Sequence, residues 1–287
     1  MKYVKPESFA AASAALAAEE GIARILTGGT DVLVMLKSEL VEPDLMVDLK
    51  HLPGMRDIVE EDGGFRIGAA VSAAEMGEHA ALKAAWPGVV EGAELIGSTQ
   101  IQNRATMAGN LCTASPAGDS VPALVTADAI ARLHGPDGVR YLPVVDIPLA
   151  PGKTALAKGE FITSFFLPER PLRAGDAYLR FTPRTEMDIA VSAAAVSLAL
   201  NADGTVAEAR VALGAVAPTV RLVPEASAAL VGSKLDDAAI AALVAAAEAA
   251  CSPINDKRGT IEFRTTTAGV LAKRAARIAY SRAGGTS

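Results

Sequence analysis

The sequence predicts an α+β protein built from three successive units. Apolar runs of strand length alternate with alanine-rich helical stretches, two glycine-bearing loops interrupt them, and a Pro/Arg/Gly-rich passage, Pro168 to Gly175, divides a mixed front part from a meander followed by helices. A chain of 287 residues can bury a sizeable core in more than one unit. The expected boundaries are residues 1–55, 56–172 and 173–287.

In the first unit, Ser8 caps an alanine-rich helix that Gly21 closes. A strand, Ile22 to Leu26, leads into Thr27-Gly28-Gly29-Thr30-Asp31, then an apolar helix, Val32 to Leu36, and a strand, Leu45 to Leu49. In the second unit, Ile58 to Glu60 and Phe65 to Ile67 flank a turn containing Gly63-Gly64, a hairpin signal. Helical patterns run from Ala80 to Leu95. Gly97 to Asp119, rich in Gly, Ser, Thr and Asn and without periodicity, reads as a long ordered loop. Ile130 to His134, Val139 to Leu142 and Glu160 to Leu167 read as strands. In the third unit, Val191 to Leu200 and Val206 to Val216 meet at Asp203-Gly204 as an antiparallel pair, and helices cover Asp236 to Ala250 and Thr260 to Arg282. The chain shows no internal repeat.

Composition excludes several function classes. About half of the residues are hydrophobic, yet much of that is alanine, and no run approaches the roughly 20 strongly apolar residues that a bilayer span needs. With Lys5, Pro6 and Glu7 close behind Met1 there is no signal-peptide core, so a cytoplasmic location is expected. Cys112 and Cys251 lack the spacing of a metal site or disulfide framework. A net charge of -6 speaks against a general nucleic-acid binder, so any phosphate-bearing ligand must be held locally.

The first loop can do that. Two consecutive glycines between a strand and a helix let main-chain N–H groups approach an anion, and the helix start adds partial positive charge. Three or four charge-assisted hydrogen bonds, each contributing roughly 1.5–3 kcal/mol, would hold a pyrophosphate without a basic patch. Asp31, which would repel phosphate if it faced the ligand, is expected to cap the following helix or to point away. The second loop, Gly97 to Asn110, strings together amides, hydroxyls and small residues suited to an extended polar ligand. Asp119 accepts from sugar-like hydroxyls, caps a helix over Ser120 to Val125, or does both.

These segments resemble the FAD-binding medium subunits of the xanthine dehydrogenase and aerobic carbon monoxide dehydrogenase family. The resemblance rests on Thr27 to Asp31, Gln100-Ile101-Gln102-Asn103 to Asn110, Ser115 to Asp119, Arg184 with Met187-Asp188-Ile189-Ala190, and Pro253 to Arg264, in the family's order along nearly the whole chain. It implies an FAD-binding fold of the vanillyl-alcohol oxidase type in two α+β subdomains, with a C-terminal α+β domain of an antiparallel sheet and helices. Carried over by position, Gly28, Gly29, Thr30 and Asp31 line the pyrophosphate, Thr106, Ala108, Gly109 and Asn110 close over it, and Asp119 holds the sugar-like part. Arg184 and Asp188 lie nearer the isoalloxazine edge, or form only a surface ion pair four residues apart in a segment that otherwise looks like core strand. Thr27, Ile96, Thr99 and Ile162 complete the implied FAD-binding set.

The resemblance also implies a large molybdenum-cofactor subunit and a small [2Fe–2S] subunit as partners, arranged as a dimer of heterotrimers. This chain would relay electrons and carry no catalytic acid, base or nucleophile for the organic substrate. The sequence departs from the family twice. Ala108 stands where a glycine is usual, which requires φ below zero there, and Gln102 replaces a favoured arginine. A self-contained flavin oxidase of the same fold would often tether its flavin through a His or Cys, but His51, His79 and His134 lie outside both loops, and Cys112 is expected as a small packing residue. A non-redox nucleotide-binding scaffold, whose glycines merely turn the chain, predicts a colourless protein. The organic substrate and the final acceptor (NAD, oxygen or quinone) are not encoded in these motifs.

Overall fold

The computed structural model describes residues 1–285. A three-stranded parallel sheet opens the chain, from β1 (Lys2–Val4), α1 (Phe9–Ala18), β2 (Ala23–Leu26), α2 (Val32–Lys37) and β3 (Leu45–Asp48), in the order β1-β3-β2. The Ser8 hydroxyl accepts from the Ala11 N–H at 3.1 Å and caps α1 as expected. Gly21 does not close that helix. Glu19 is its extended C-cap, and a methyl group on Gly21 would strike the Asp44 carboxylate, which accepts the Ile22 N–H at 2.8 Å. The apolar α2 forms where expected, but no residue of it is buried, and Leu33, Val34 and Met35 face out.

Next come β4 (Ile58–Glu61), β5 (Gly64–Gly68), α3 (Ala73–Glu78), α4 (Ala80–Ala85), α5 (Pro87–Glu94), α6 (Thr99–Gln102), α7 (Met107–Cys112), α8 (Ser120–Thr126), β6 (Ile130–Gly135), β7 (Gly138–Pro143), the short pair β8 (Pro148–Ala150) and β9 (Lys153–Thr154), and β10 (Phe161–Leu167). The antiparallel order is β4-β5-β10-β6-β7. The β4–β5 turn is Asp62-Gly63, with φ of 50° and 75°, the left-handed pair that a two-residue hairpin needs. Pro87, which cannot donate to the preceding turn, splits the helical pattern at Ala80 to Leu95 into α4 and α5. The long loop in fact contains α6 and α7. At four and six residues they are too short to show a period.

The remainder is β11 (Ala174–Phe181), β12 (Ser192–Leu200), β13 (Val206–Gly214), β14 (Arg221–Leu222), α9 (Pro224–Leu230), α10 (Asp237–Ala249) and α11 (Ile261–Arg282). Its sheet runs in the order β11-β12-β13-β14, and the central strand β12 is buried on both faces. Ala193, Ala195 and Ala212 join the core of the first 170 residues, while Val196, Leu198, Val211 and Leu213 pack under α10 and α11. Small side chains on the inner face let the sheet close onto α8, where a methyl on Gly214 would fall 2.8 Å from Pro122.

A polar clasp spans the junction. Arg170 stacks on Trp86 at 4.4 Å and donates to the buried Asp176 at 2.9 Å, while Arg282 donates to the Asp176 carbonyl at 2.7 Å. Burial pushes the Asp176 carboxyl up to about 6, against the pull of Arg170. A folded-state pKa above the usual 3.8 means that folding favours the protonated acid, so this stability is present at low pH and lost as pH rises through about 6. Asp176→Asn, which cannot ionise, is expected to gain thermal stability relative to wild type between about pH 4 and pH 6. Parallel melting temperatures across that window would remove this account.

Candidate functional site

Thr27 to Asp31 leave the C-terminal end of β2, and Gly29 takes φ of 82°, which the reversal into α2 requires. Gly28 serves a different need. It is buried, and a methyl group there would run into the Arg104 carbonyl, so its bare backbone lets the two loops touch. The Thr27 and Thr106 hydroxyls meet at 3.2 Å across that contact. The main-chain N–H groups of Gly28, Gly29, Thr30, Asp31 and Val32 find no protein acceptor among the described residues. Such a run of free donors, one of them buried, calls for an external acceptor. The six-residue α2 adds little dipole; the donors are the loop amides themselves. Asp31 does not cap the following helix; its carboxylate accepts from the Thr113 hydroxyl at 2.9 Å instead.

On the second loop, Thr106 caps α7 by accepting the Gly109 N–H at 3.0 Å. Ala108 is helical and buried and is absent from the positive-φ residues, so the alanine is unstrained. Gly109 is open toward the first loop, since a methyl there would meet only Thr106 at 3.1 Å and Thr27 at 3.9 Å. The Asn110 side-chain oxygen accepts the Ser120 N–H at 3.1 Å and its hydroxyl at 2.9 Å, and thereby caps α8. Gln102 donates to the Glu94 carbonyl, a structural bond that needs no charge. Cys112 ends α7 in an exposed position, contrary to the packing role expected, because the buried face of that short helix is taken by Met107, Ala108 and Leu111.

A cleft of about 180 Å³ opens beside these loops, bounded by Thr27, Ala70, Ser72, Asn103, Lys50, Arg56 and Arg104. Lys50 is steered by Asp48 at 2.7 Å, and Arg56 by Glu75. Burial works to raise the Asp48 carboxyl, but bonds from Lys50 and Tyr3 hold it below its usual value, so it stays ionised beside Lys50. Arg104 forms no ion pair among the described residues. The motifs did not reveal these three cations, because residues 50, 56 and 104 converge only in the fold. A larger concavity of about 390 Å³ lies on the outer face of the five-stranded sheet, between Arg66, Arg132, Tyr141 and Phe166, and includes none of the expected site residues.

Asp119 is not the cap of α8; Asn110 has that task. Its buried carboxylate instead accepts from Tyr178 Oη at 3.0 Å and from Arg180 at 2.6 Å, both on β11. Burial pushes the Asp119 carboxyl up, and Arg180 and Tyr178 oppose it. Ile96 is buried just before Gly97, whose φ is 65°, while Thr99 opens α6 in an exposed position. Ile162 is buried on β10 where the register shifts toward Ser164; its neighbour Thr163 accepts the Ala69 N–H at 3.0 Å, next to the cleft-lining Ala70.

Arg184 and Asp188 lie on a loop between β11 and β12, not in a strand, and Met187 and Ile189 are exposed there. Asp188 accepts the Arg184 N–H at 3.2 Å and lies 3.5 Å from its guanidinium and 3.8 Å from that of Arg258. Burial would raise the Asp188 carboxyl, but the Ile189 and Arg184 N–H groups and the Arg184 guanidinium hold it below its usual value. The Met187 N–H donates to the Gly97 carbonyl at 3.1 Å, which ties this loop to the second glycine-bearing loop. Free amides, paired threonine hydroxyls, bare glycines and three cations thus suit a ligand with a diphosphate and polar sugar-like parts. They fit FAD.

The comparisons point to the same cofactor. The family described as the FAD binding domain in molybdopterin dehydrogenase matches residues 1–170, and the CO dehydrogenase flavoprotein C-terminal domain matches residues 177–279. The carbon monoxide dehydrogenase medium chain of Afipia carboxidovorans is 35% identical over 282 residues, spanning 98% of this chain and 97% of its own length. The xanthine dehydrogenase FAD-binding subunit of Escherichia coli O157:H7 is 30% identical over 272 residues, 94% of this chain and 93% of that one. Among solved structures, a chain of the carbon monoxide dehydrogenase of Hydrogenophaga pseudoflava that lacks the Mo-pyranopterin moiety superimposes with a TM-score of 0.94 at 32% identity over 98% of both chains. This chain belongs to the flavoprotein family of the molybdopterin dehydrogenases, as an FAD-binding medium subunit of the xanthine dehydrogenase and carbon monoxide dehydrogenase type.

Proposed function

We propose that this subunit is the electron relay of its complex: it receives electrons from [2Fe–2S] centres of a small subunit and passes them to an external acceptor, while a large molybdenum subunit oxidises the organic substrate. FAD, when bound, supplies the ability to accept and release electrons singly or in pairs. The chain's own residues bind and orient it. The loop amides from Gly28 to Val32, with Thr27, Thr30, Thr106, Ala108, Gly109 and Asn110 around them, hold the pyrophosphate. Lys50, Arg56 and Arg104 neutralise its charge. Asp119 takes the sugar-like part, and Ile96, Thr99, Ile162, Arg184 and Asp188 lie toward the ring. In this reading Asp31 acts through Thr113, away from the phosphates, and the functional units are residues 1–55, 56–172 and 173–287. The assembly is a cytoplasmic dimer of heterotrimers.

The observation that carries this reading is the row of unpaired loop amides, one of them buried, against the Thr106 loop. The test is an absorption spectrum of the purified chain, followed by acid release of its chromophore. One FAD per chain is expected. A colourless chain that also refuses added FAD would sink the reading, and native pull-down that brings neither a molybdenum nor an iron–sulfur subunit would sink its partner half.

A further inference from the structure

Asp119 is the acid of the implied site, yet its environment comes from elsewhere in the chain. It stands just before α8 without capping it, because Asn110 has taken that role. Its carboxylate is therefore free to turn, and both of its oxygens are claimed by β11, outside the matched FAD-binding region of residues 1–170. Tyr178 Oη donates to Oδ1 at 3.0 Å and the Arg180 guanidinium donates to Oδ2 at 2.6 Å. Arg180 alone would grip either oxygen and leave the plane of the carboxylate undetermined. With the tyrosine added, one orientation satisfies both donors.

We infer that Tyr178 is a positioning residue of the flavin site, which fixes the orientation of Asp119 so that the remaining lone pairs of its two oxygens face the ligand. The inference rests on the reading of Asp119 as part of that site. The tyrosine suits the task. It is 1% exposed, and burial, followed by the Asp119 charge, pushes its hydroxyl pKa well above the usual value, so the hydroxyl remains a donor. Its own backbone is pinned, since the Tyr178 N–H donates to Glu91 at 3.0 Å, and Glu91 in turn pairs with Arg282 of α11. Two residues earlier on the same strand face, Asp176 is clasped by Arg170. Residues 176, 178 and 180 thus form a row of anchored polar groups that ends at Asp119.

Tyr178→Phe fills the same space and removes only the hydroxyl. In the full chain, FAD affinity is expected to fall by about tenfold, the effect of one hydrogen bond to a charged group. The flavin midpoint potential is expected to rise, because a carboxylate that loses this donor protonates more readily and leaves the Arg180 charge uncompensated. Ile240→Val, a core change on α10 remote from Asp119, controls for general loosening and should leave both readings at the wild-type value. Wild-type affinity and potential in Y178F, with wild type binding FAD, would overturn the role of Tyr178 alone. Equal shifts in I240V would overturn it too, by showing that lost stability suffices. A wild-type chain that takes up no FAD would overturn the site reading and this inference together.

Discussion

Gly28→Val is expected to yield a folded chain that has lost its flavin. A β-carbon at this position would run into the Arg104 carbonyl and lie within 3.2 Å of the Ala105 Cα. Both are backbone atoms of the second loop, so no side chain can swing aside. The loops must part, which breaks the Thr27–Thr106 contact of 3.2 Å and scatters the free amides between Gly28 and Val32. Losing two such charge-assisted bonds removes roughly 3 kcal/mol or more of binding free energy, about a hundredfold or greater in affinity. Gly29→Ala should be milder. There the φ of 82° costs an alanine about 1–2 kcal/mol, and the new methyl meets Leu26 and Leu33, both side chains. Flavin content per chain by absorbance, with circular dichroism to confirm folding, ranks the variants. A G28V chain that keeps a full flavin complement would mean that the loop contact does not shape the site.

The strand and helix pattern was legible wherever side chains face a core on one side only. β6 alternates between buried and half-buried residues, and α1 carries its serine cap at its start. Where an element is covered on both faces or on neither, the period is lost, and the element shows only through its composition and length. Val32 to Leu36 is apolar and helical with no residue buried among the described residues, and β12 is buried at every position but the half-buried Ser197, so its near-continuous alanine and aliphatic run lacks the strand period. The motif residues around the two loops were visible because glycine, threonine and asparagine have few other reasons to cluster. Their partners were not. Lys50, Arg56 and Arg104 carry no local signal, and Tyr178 and Arg180 lie on β11, a strand the sequence pattern did not show, so only the fold sets them against Asp119.

The stretch from Pro253 to Arg264 shows the same limit from the other side. It was recognised as a motif, but its chemistry is structural. Arg264, 5% exposed, donates to the carbonyls of Val191 and Ala215 at 2.8 and 3.4 Å and to Asp256 at 2.7 Å, so it ties the start of α11 to the ends of β12 and β13. The loop bearing Arg184 and Asp188 is held from the same point, because Val191 follows it directly and Arg258 approaches Asp188. A signature can therefore mark the frame of a site as well as its contacts.

Asp119→Leu is expected to destabilise the whole chain, beyond any effect on flavin. The Arg180 side chain is 5% exposed, and leucine would strand its guanidinium in the interior without a counter-charge. Breaking a buried pair from one side typically costs about 3–5 kcal/mol, here a fall of roughly 10 °C in Tm for a chain of this size. The double variant Asp119→Leu with Arg180→Met removes both charges, and apolar groups in the place of a buried pair are often neutral or stabilising. It should therefore recover most of the lost Tm while still failing to hold FAD at wild-type affinity. That combination, stability restored and binding not, would separate the two duties of Asp119: it neutralises a buried cation for the fold, and it offers its remaining lone pairs to the ligand. A double variant as unstable as the sum of the single ones would show that the pair is not what joins β11 to the flavin-binding region, and the burden would pass to the Tyr178 hydroxyl and to the alanine-lined contact between the sheet and α8.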